Sequence, residues 1–337
     1  MFRRALGTET AAVEPGSVRW SIFRSVNAPC VAWLLCFSHA QRVGVGSSVL
    51  MDLGFHIADF TWSGGSPELA VTLGRLAREA EAGGIARLTV MDHFWQIGPV
   101  GAPEESMLEA YTTLGYLAAV TERVLLHTLV TGVVYREPGF LAKVISTLDV
   151  LSGGRAGLGI GAAWFQEEAD GLGFAFPPLG ERFERLEETL QICLQMWGGD
   201  DGGFEGRHYR LGRTLNSPAP LSRPHPFVLV GGGGERKTLR LVAQYANACN
   251  IFVGGDEARH KLNVLRLHCE AVGRDYDEIE KTTMINIDAS TSRGELLDEL
   301  RAGHDLGFAT TYVFARNPEP LAAIELLAGV VGEVGGW

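Results

Sequence analysis

Eight apolar, β-branched runs, each followed by a helix-patterned stretch, leave this chain few folds to choose from. The runs occupy residues 53–60, 86–93, 124–131, 155–162, 226–232, 248–254, 282–288 and 309–315. Helical patterns follow at 67–81, 107–120, 140–151, 181–197, 235–246, 256–272, 293–306 and 318–331. The first helix is fully punctuated, with Ser66 as N-cap, Pro67 at the first helical position and Gly83-Gly84 as the stop. Strands that are apolar throughout are buried on both faces, and helices between them make neighbouring strands parallel. Eight such units predict an α/β chain closed into a (β/α)8 TIM barrel. A doubly wound open sheet would more often carry G-x-G-x-x-G at its first strand–helix turn, and Thr61-Trp-Ser-Gly-Gly-Ser66 does not supply it.

One interval is out of proportion: the fourth run ends at 162 and the fifth starts at 226. Within it, Gly198-Gly-Asp-Asp-Gly-Gly203, Arg207-His-Tyr-Arg-Leu211 and prolines 218, 220, 224 and 226 predict an insertion between strands 4 and 5. A short hairpin and an ordered loop lying over the barrel are expected there, where long loops shape a substrate mouth.

Residues 1–50 show no sustained period of 2 or 3.6. Arg3, Arg4, Arg19 and Arg24 precede a short apolar run at 31–37, but they lie far from it and no A-x-A site follows, so secretion is not expected. This segment is expected to be a poorly ordered N-terminal extension, with the folded domain spanning 51–337. Cys30, Cys36, Cys193, Cys249 and Cys269 are scattered without C-x-x-C, which suits reduced thiols in a cytoplasmic protein and implies no zinc site. Forty acidic against 29 basic residues give a net charge of −11, a surface that repels phosphate backbones and anionic lipid. Neither nucleic acid nor membrane is expected as a partner.

In such a barrel the chemistry sits where strands end. Those positions hold Asp59, Phe60 and Trp62 after strand one, Asp92, His93 and Trp95 after strand two, and Thr131 and Gly132 after strand three. Strand four contributes Gly161, Ala162, Ala163 and Trp164, strand five Gly231 to Gly234, and strand six Gly254 and Gly255. Few of these titrate, and the mix of aromatic residues, Gly and Thr with one His suits a large planar ligand better than hydrolysis by paired carboxylates. His93 is read either as a proton donor or acceptor near neutral pH or as a strand-capping histidine. Gly232, Gly233 and Gly234, with Arg236 and Lys237 just beyond and a helix expected to follow, form a candidate phosphate cradle; a plain flexible turn is the alternative. Alternating Gly157, Gly159 and Gly161 permit either close approach of a flat ligand or tight barrel packing. His208, His225, His260, His268 and His304 read as surface or satisfied histidines, and the charged run 181–188 as a solvated helix face.

Several motifs in order are recognisable: Met91-Asp-His-Phe-Trp95, Leu129-Val-Thr-Gly132, Arg136-Glu-Pro138, the stretch 149–165, the charged run 180–188 and residues 230–238. Together they resemble the bacterial luciferase-like family of flavin and deazaflavin oxidoreductases, over essentially residue 51 to the C-terminus. Within it the chain looks most like the branch dependent on coenzyme F420, whose members pass hydride between the ring carbon C5 and an organic substrate. The resemblance implies a non-prolyl cis peptide near Leu129-Val130. It implies Asp92 and His93 as the ring-binding and catalytic pair, with Thr131 and Gly132 as contacts after strand three. Gly161, Ala162 and Ala163 would be backbone contacts, and Gly232 to Gly234 the phosphate turn. Trp164 stands where sugar-phosphate dehydrogenases of the family carry a glutamate acid, Ala163 where glycine is commoner, and Glu137 where Asn is usual. An FMN-dependent monooxygenase fed by a flavin reductase is the second function expected, and a non-catalytic flavin-binding barrel the third. The other partners expected are a small-molecule substrate and a second copy of the chain in a homodimer.

Overall fold

Strand β1 (Asp52–Ile57) pairs in parallel with β2 (Arg87–Val90), and β2 with β3 (Leu125–Thr128). A short continuation, β4 (Thr131–Gly132), follows β3 across a cis Leu129–Val130 peptide bond, at the position the resemblance implied. Next come β5 (Ala156–Gly161), the small outer hairpin β6 (Phe204–Glu205) and β7 (Arg210–Leu211), then β8 (Phe227–Gly231), β9 (Ala248–Asn250), β10 (Glu280–Asp288) and β11 (Thr310–Arg316). Pairing of β3 with β5 on one side and β1 with β11 on the other closes the sheet into a parallel barrel of eight strand positions. The computed structural model describes residues 51–316 and 319–337; the expectations for 1–50 and for Pro318 lie outside the described residues.

Helices cover the outside: α1 (Leu69–Ala82), α2 (Ala110–Val120), α3 (Pro138–Ser152), α4 (Gln166–Leu172), α5 (Leu179–Gly198), α6 (Thr238–Tyr245), α7 (Gly255–Val272), α8 (Arg293–Asp305) and α9 (Pro320–Val334). Leu73, Leu76, Ala77 and Ala80 of α1 follow the 3.6-residue period and are buried, which is why this amphipathic stretch lies flat on the barrel. Strand interiors such as Leu88, Leu126, Leu158 and Val230 have no exposure, as β-strands enclosed on both faces require. No described helix is long and apolar enough to cross a membrane.

The segment between β5 and β8 departs from its expected position. Glu188 of α5 accepts the amides of Arg207, His208 and Tyr209, Lys143 of α3 donates to Ser217 O at 2.5 Å, and Asp149 accepts the amides of Leu221 and Ser222. Hairpin and proline-rich loop therefore run along the outer faces of α3 and α5. The part of the segment beside the strand ends is α4 with its flanking loops, which sequence periodicity did not mark.

Two alternating glycines serve packing. A Cβ on Gly159 would stand 1.9 Å from the Thr128 carbonyl oxygen, and one on Gly157 3.0 Å from the Phe227 ring. Close approach of neighbouring strands, rather than of a ligand, explains both.

Polar contacts run through the barrel interior from the first residues of β2 and β10. Arg87 pairs with Glu280 at 2.7 Å and reaches Tyr312 Oη at 3.3 Å, and that hydroxyl lies 2.9 Å from His127 Nε2. His127 Nδ1 donates to Thr128 O at 2.9 Å, and His56 Nδ1 lies 2.9 Å from Thr89 Oγ1. Burial drives both imidazoles down to about 3, so they are neutral in the folded protein. The unfolded chain takes up these protons near pH 6.5, whereas the folded one does not until about 3. Stability is thus whole above pH 6.5 and falls with acidification, by about 1.4 kcal/mol per pH unit for each histidine. Urea unfolding at pH 6.5 and 5.5 is expected to show a clear drop in midpoint; equal midpoints would show that the folded state accommodates the charged rings.

Candidate active site

The second strand ends at Val90, and the chain then turns through Met91, Asp92 and His93 at the barrel mouth. Both Asp92 oxygens are taken by Arg136, at 2.6 and 3.1 Å, and Arg136 also holds Glu109 at 2.6 Å. Glu109 in turn N-caps α2 by accepting the Thr112 amide. Asp92 is fully buried, and its carboxylate anchors the strand end through Arg136. Burial works against the Arg136 charge, but Asp92, Tyr111 and Glu109 together outweigh it and hold the guanidinium above its ordinary range.

His93 is 7% exposed, and its Nδ1 lies 3.0 Å from Oε2 of Glu168. Glu168, in α4, is completely buried yet fully satisfied. Its Oε1 accepts the amides of Phe94 and Trp95 at 2.6 and 2.8 Å, and its Oε2 also accepts the Tyr135 hydroxyl at 2.6 Å. Burial alone would raise this carboxyl; bonds from His93, Tyr135 and the Trp95 amide outweigh it and hold the group below the usual carboxylate range. His93 Nε2 bonds to no described residue and is not among the buried unpartnered atoms, which leaves it accessible at the mouth. Around it stand Trp164 at 5.5 Å, Phe165 at 5.7 Å and Tyr135 at 6.3 Å between ring centroids.

Trp164, 58% exposed, stacks on Phe165, and Phe252 beyond β9 is 52% exposed. These are the aromatic faces open to a ligand. Phe60 and Trp62, read from the sequence as mouth residues, instead pack against each other inside the main core, and Asp59 turns back onto the Thr61 amide. Trp95 lies against α4, where a Cβ on Gly171 would meet its indole at 2.2 Å.

Of the remaining expected contacts, Thr131 is buried with its hydroxyl 2.6 Å from Tyr111 Oη and 3.0 Å from Thr128 Oγ1. Gly132 is small because the Tyr135 ring would stand 2.7 Å from a Cβ there. Both shape the wall, and the Thr131 hydroxyl is engaged with Tyr111 and Thr128. Gly161 closes β5 with Val130 against its bare face, and half-buried Ala162 and Ala163 follow. Ala163 has φ +61°, a left-handed conformation that glycine adopts without strain. Its carbonyl is gripped at 2.5 Å by Arg182, which also reaches Ala162 O at 3.2 Å. Arg182 belongs to the run read as a solvated face; it is buried and points inward, stacked over Phe176 at 4.1 Å, while Arg185 and Glu181 do form the expected i,i+4 pair.

The glycine turn is open. Gly232 has φ +112°, which no L side chain adopts comfortably, and a Cβ on Gly233 would have nothing nearer than Lys261 Cε at 3.8 Å. Its special backbone position is therefore Gly232. The amides of Gly233 and Gly234 donate to no described residue, and Arg236 is exposed with no partner among the described residues. Helix α6 starts only at Thr238, so a further turn separates the glycines from the helix expected directly after them.

The luciferase-like monooxygenase family model matches residues 51–328. The chain belongs to this family. Relatives of luciferase-like type include an F420-dependent glucose-6-phosphate dehydrogenase of Nakamurella multipartita, 30% identical over 75% of this chain and 71% of that protein. A counterpart of the same name from Kineococcus radiotolerans is 32% identical over 68% and 67%. An uncharacterised Mycobacterium tuberculosis protein is 32% identical over half of this chain, and the match spans 58% of its length. Among solved structures, an F420-dependent secondary alcohol dehydrogenase in complex with an F420–acetone adduct superposes with a TM-score of 0.74, at 16% identity, over 85% of this chain and 99% of that one. A monooxygenase of Streptomyces bottropensis does so with 0.67, at 18% identity, over 83% and 98%. At such identities the superpositions establish the barrel.

Proposed function

We propose that the chain is an F420-dependent oxidoreductase that moves a hydride between the deazaflavin C5 and a small organic substrate. The observation that carries this reading is an accessible, unpartnered His93 Nε2 at the same end of the barrel as a glycine turn with two free amides. A tricyclic ring with a ribityl phosphate fits both features: Gly233 and Gly234 would hold the phosphate, with Arg236 beside them, and Trp164 and Phe252 offer apolar faces to the ring. Bound there, the coenzyme supplies the two-electron donor or acceptor that no side chain provides. His93 Nε2 takes or gives the proton of the substrate oxygen, because Trp164 occupies the place of a carboxyl acid. Relatives named as F420-dependent dehydrogenases at 30% identity or more support the deazaflavin; the monooxygenase among the structural neighbours supports FMN as the second reading. Anaerobic incubation with F420 and a panel of alcohols, followed by the visible absorbance of the oxidised coenzyme, tests the proposal: bleaching with an alcohol supports it, and turnover seen only with reduced FMN and O2 replaces it.

Gly232→Val is expected to weaken cofactor affinity by about tenfold or more, since the backbone strain of about 1–3 kcal/mol falls on the turn that presents the amides. Gly233→Ala is expected to be mild, because its Cβ has room. Titration of both variants by fluorescence checks the order; equal affinities would show that the turn does not hold the cofactor.

A further inference from the structure

We propose that Glu168 is a positioning residue that acts through His93, fixing the imidazole proton on Nδ1 so that Nε2 presents a lone pair to the mouth. This goes beyond the proposed function, and it rests on that reading only for its kinetic consequence. The two carboxylate oxygens divide their work. Oε1 serves the backbone, tying down the turn at Phe94 and Trp95, whereas Oε2 faces two side-chain donors, His93 and Tyr135. An ionised carboxylate accepts only, so Nδ1 must be the donor, and the neutral ring is left with its lone pair on Nε2. Four donors keep Glu168 ionised against the cost of its complete burial, and no second acceptor lies on His93 to compete. The other charged groups packed around this ring are accounted for: Asp92 and Arg136 neutralise each other at 2.6 Å, and Tyr135 spends its proton on Glu168. In the direction of alcohol oxidation, Nε2 would gain the hydroxyl proton as the O–H electron pair becomes the second C–O bond, and a bound oxidised deazaflavin would supply the acceptor for the hydride lost from carbon.

Glu168→Gln separates this role from a merely structural one. Its remaining oxygen can keep the Phe94 and Trp95 amides, so the turn stays tied. The amide nitrogen replaces Oε2 and can only donate, which forces the lone pair onto Nδ1 and the proton onto Nε2. Nitrogen NMR of the cofactor-free full chain, with the nine histidines labelled and His93 assigned from a His93→Ala spectrum, reads the tautomer directly. The wild type is expected to show Nδ1–H and the glutamine variant Nε2–H. Turnover of a bleaching substrate is expected to fall by about 10²-fold or more in the variant, with cofactor affinity within about twofold. An Nε2–H tautomer in the wild type overturns the proposal even if Glu168→Gln fails to fold, and so does an unchanged tautomer in a folded variant. Because the tautomer is read without cofactor or substrate, failure of the deazaflavin reading leaves this test intact.

Discussion

His93→Ala is expected to lower turnover by about 10²–10⁴-fold, the usual range for lost general acid–base assistance, while cofactor affinity changes little. Nε2 is the accessible nitrogen of a ring whose other nitrogen is already held, so its free valence points to proton handling rather than to support of the fold. The ring also touches Trp164, Phe165 and Tyr135, but only by their edges, and Tyr135 and Glu168 keep their own hydrogen bond when the imidazole is gone. Cofactor dissociation constant and single-turnover rate, measured on the same variant, separate the roles. A rate that is unaltered at saturating cofactor, with weakened binding, would make His93 a ring-binding group only.

Arg136→Ala is expected to destabilise the protein by about 3–5 kcal/mol, since it strands the fully buried Asp92 carboxylate without its counter-ion. The loss comes from the unpaired charge rather than from the missing contacts, which Asp92→Asn in the same background can show. The double variant is expected to recover part of the loss in urea unfolding. A double variant no more stable than Arg136→Ala would mean that arginine packing over Tyr111, at 4.5 Å, carries the effect instead.

The barrel was legible because its signals are local. Apolar, β-branched runs such as 282–288 and 309–315 became β10 and β11 almost to the residue, and the helical period placed α1 and α5. Strand ends were less legible: the run 248–254 yields only Ala248–Asn250, because apolar residues continue past the last ladder bond. His93 and the glycine turn stood out by residue type at strand ends. Glu168 did not, since nothing in a Glu167-Glu168 pair tells the exposed member from the buried one, and its partner lies 75 positions away. The one local hint is that Glu168 adjoins the buried Ala169 in a short helix that begins just after Trp164. Arg182 was hidden in the same way, as one inward side chain in a run of charges whose other charged members are only half-buried. Phe60 and Trp62 misled because an aromatic residue after a strand can turn to the mouth or to the core, and the tight Asp59–Thr61 turn sends both inward.

Equilibrium dialysis of the purified full chain against coenzyme F420 and FMN in parallel is the most direct test of a deazaflavin site at this mouth. Tighter retention of F420 than of FMN, reduced in Gly232→Val, is the predicted result. Micromolar retention of FMN with none of F420 would contradict it.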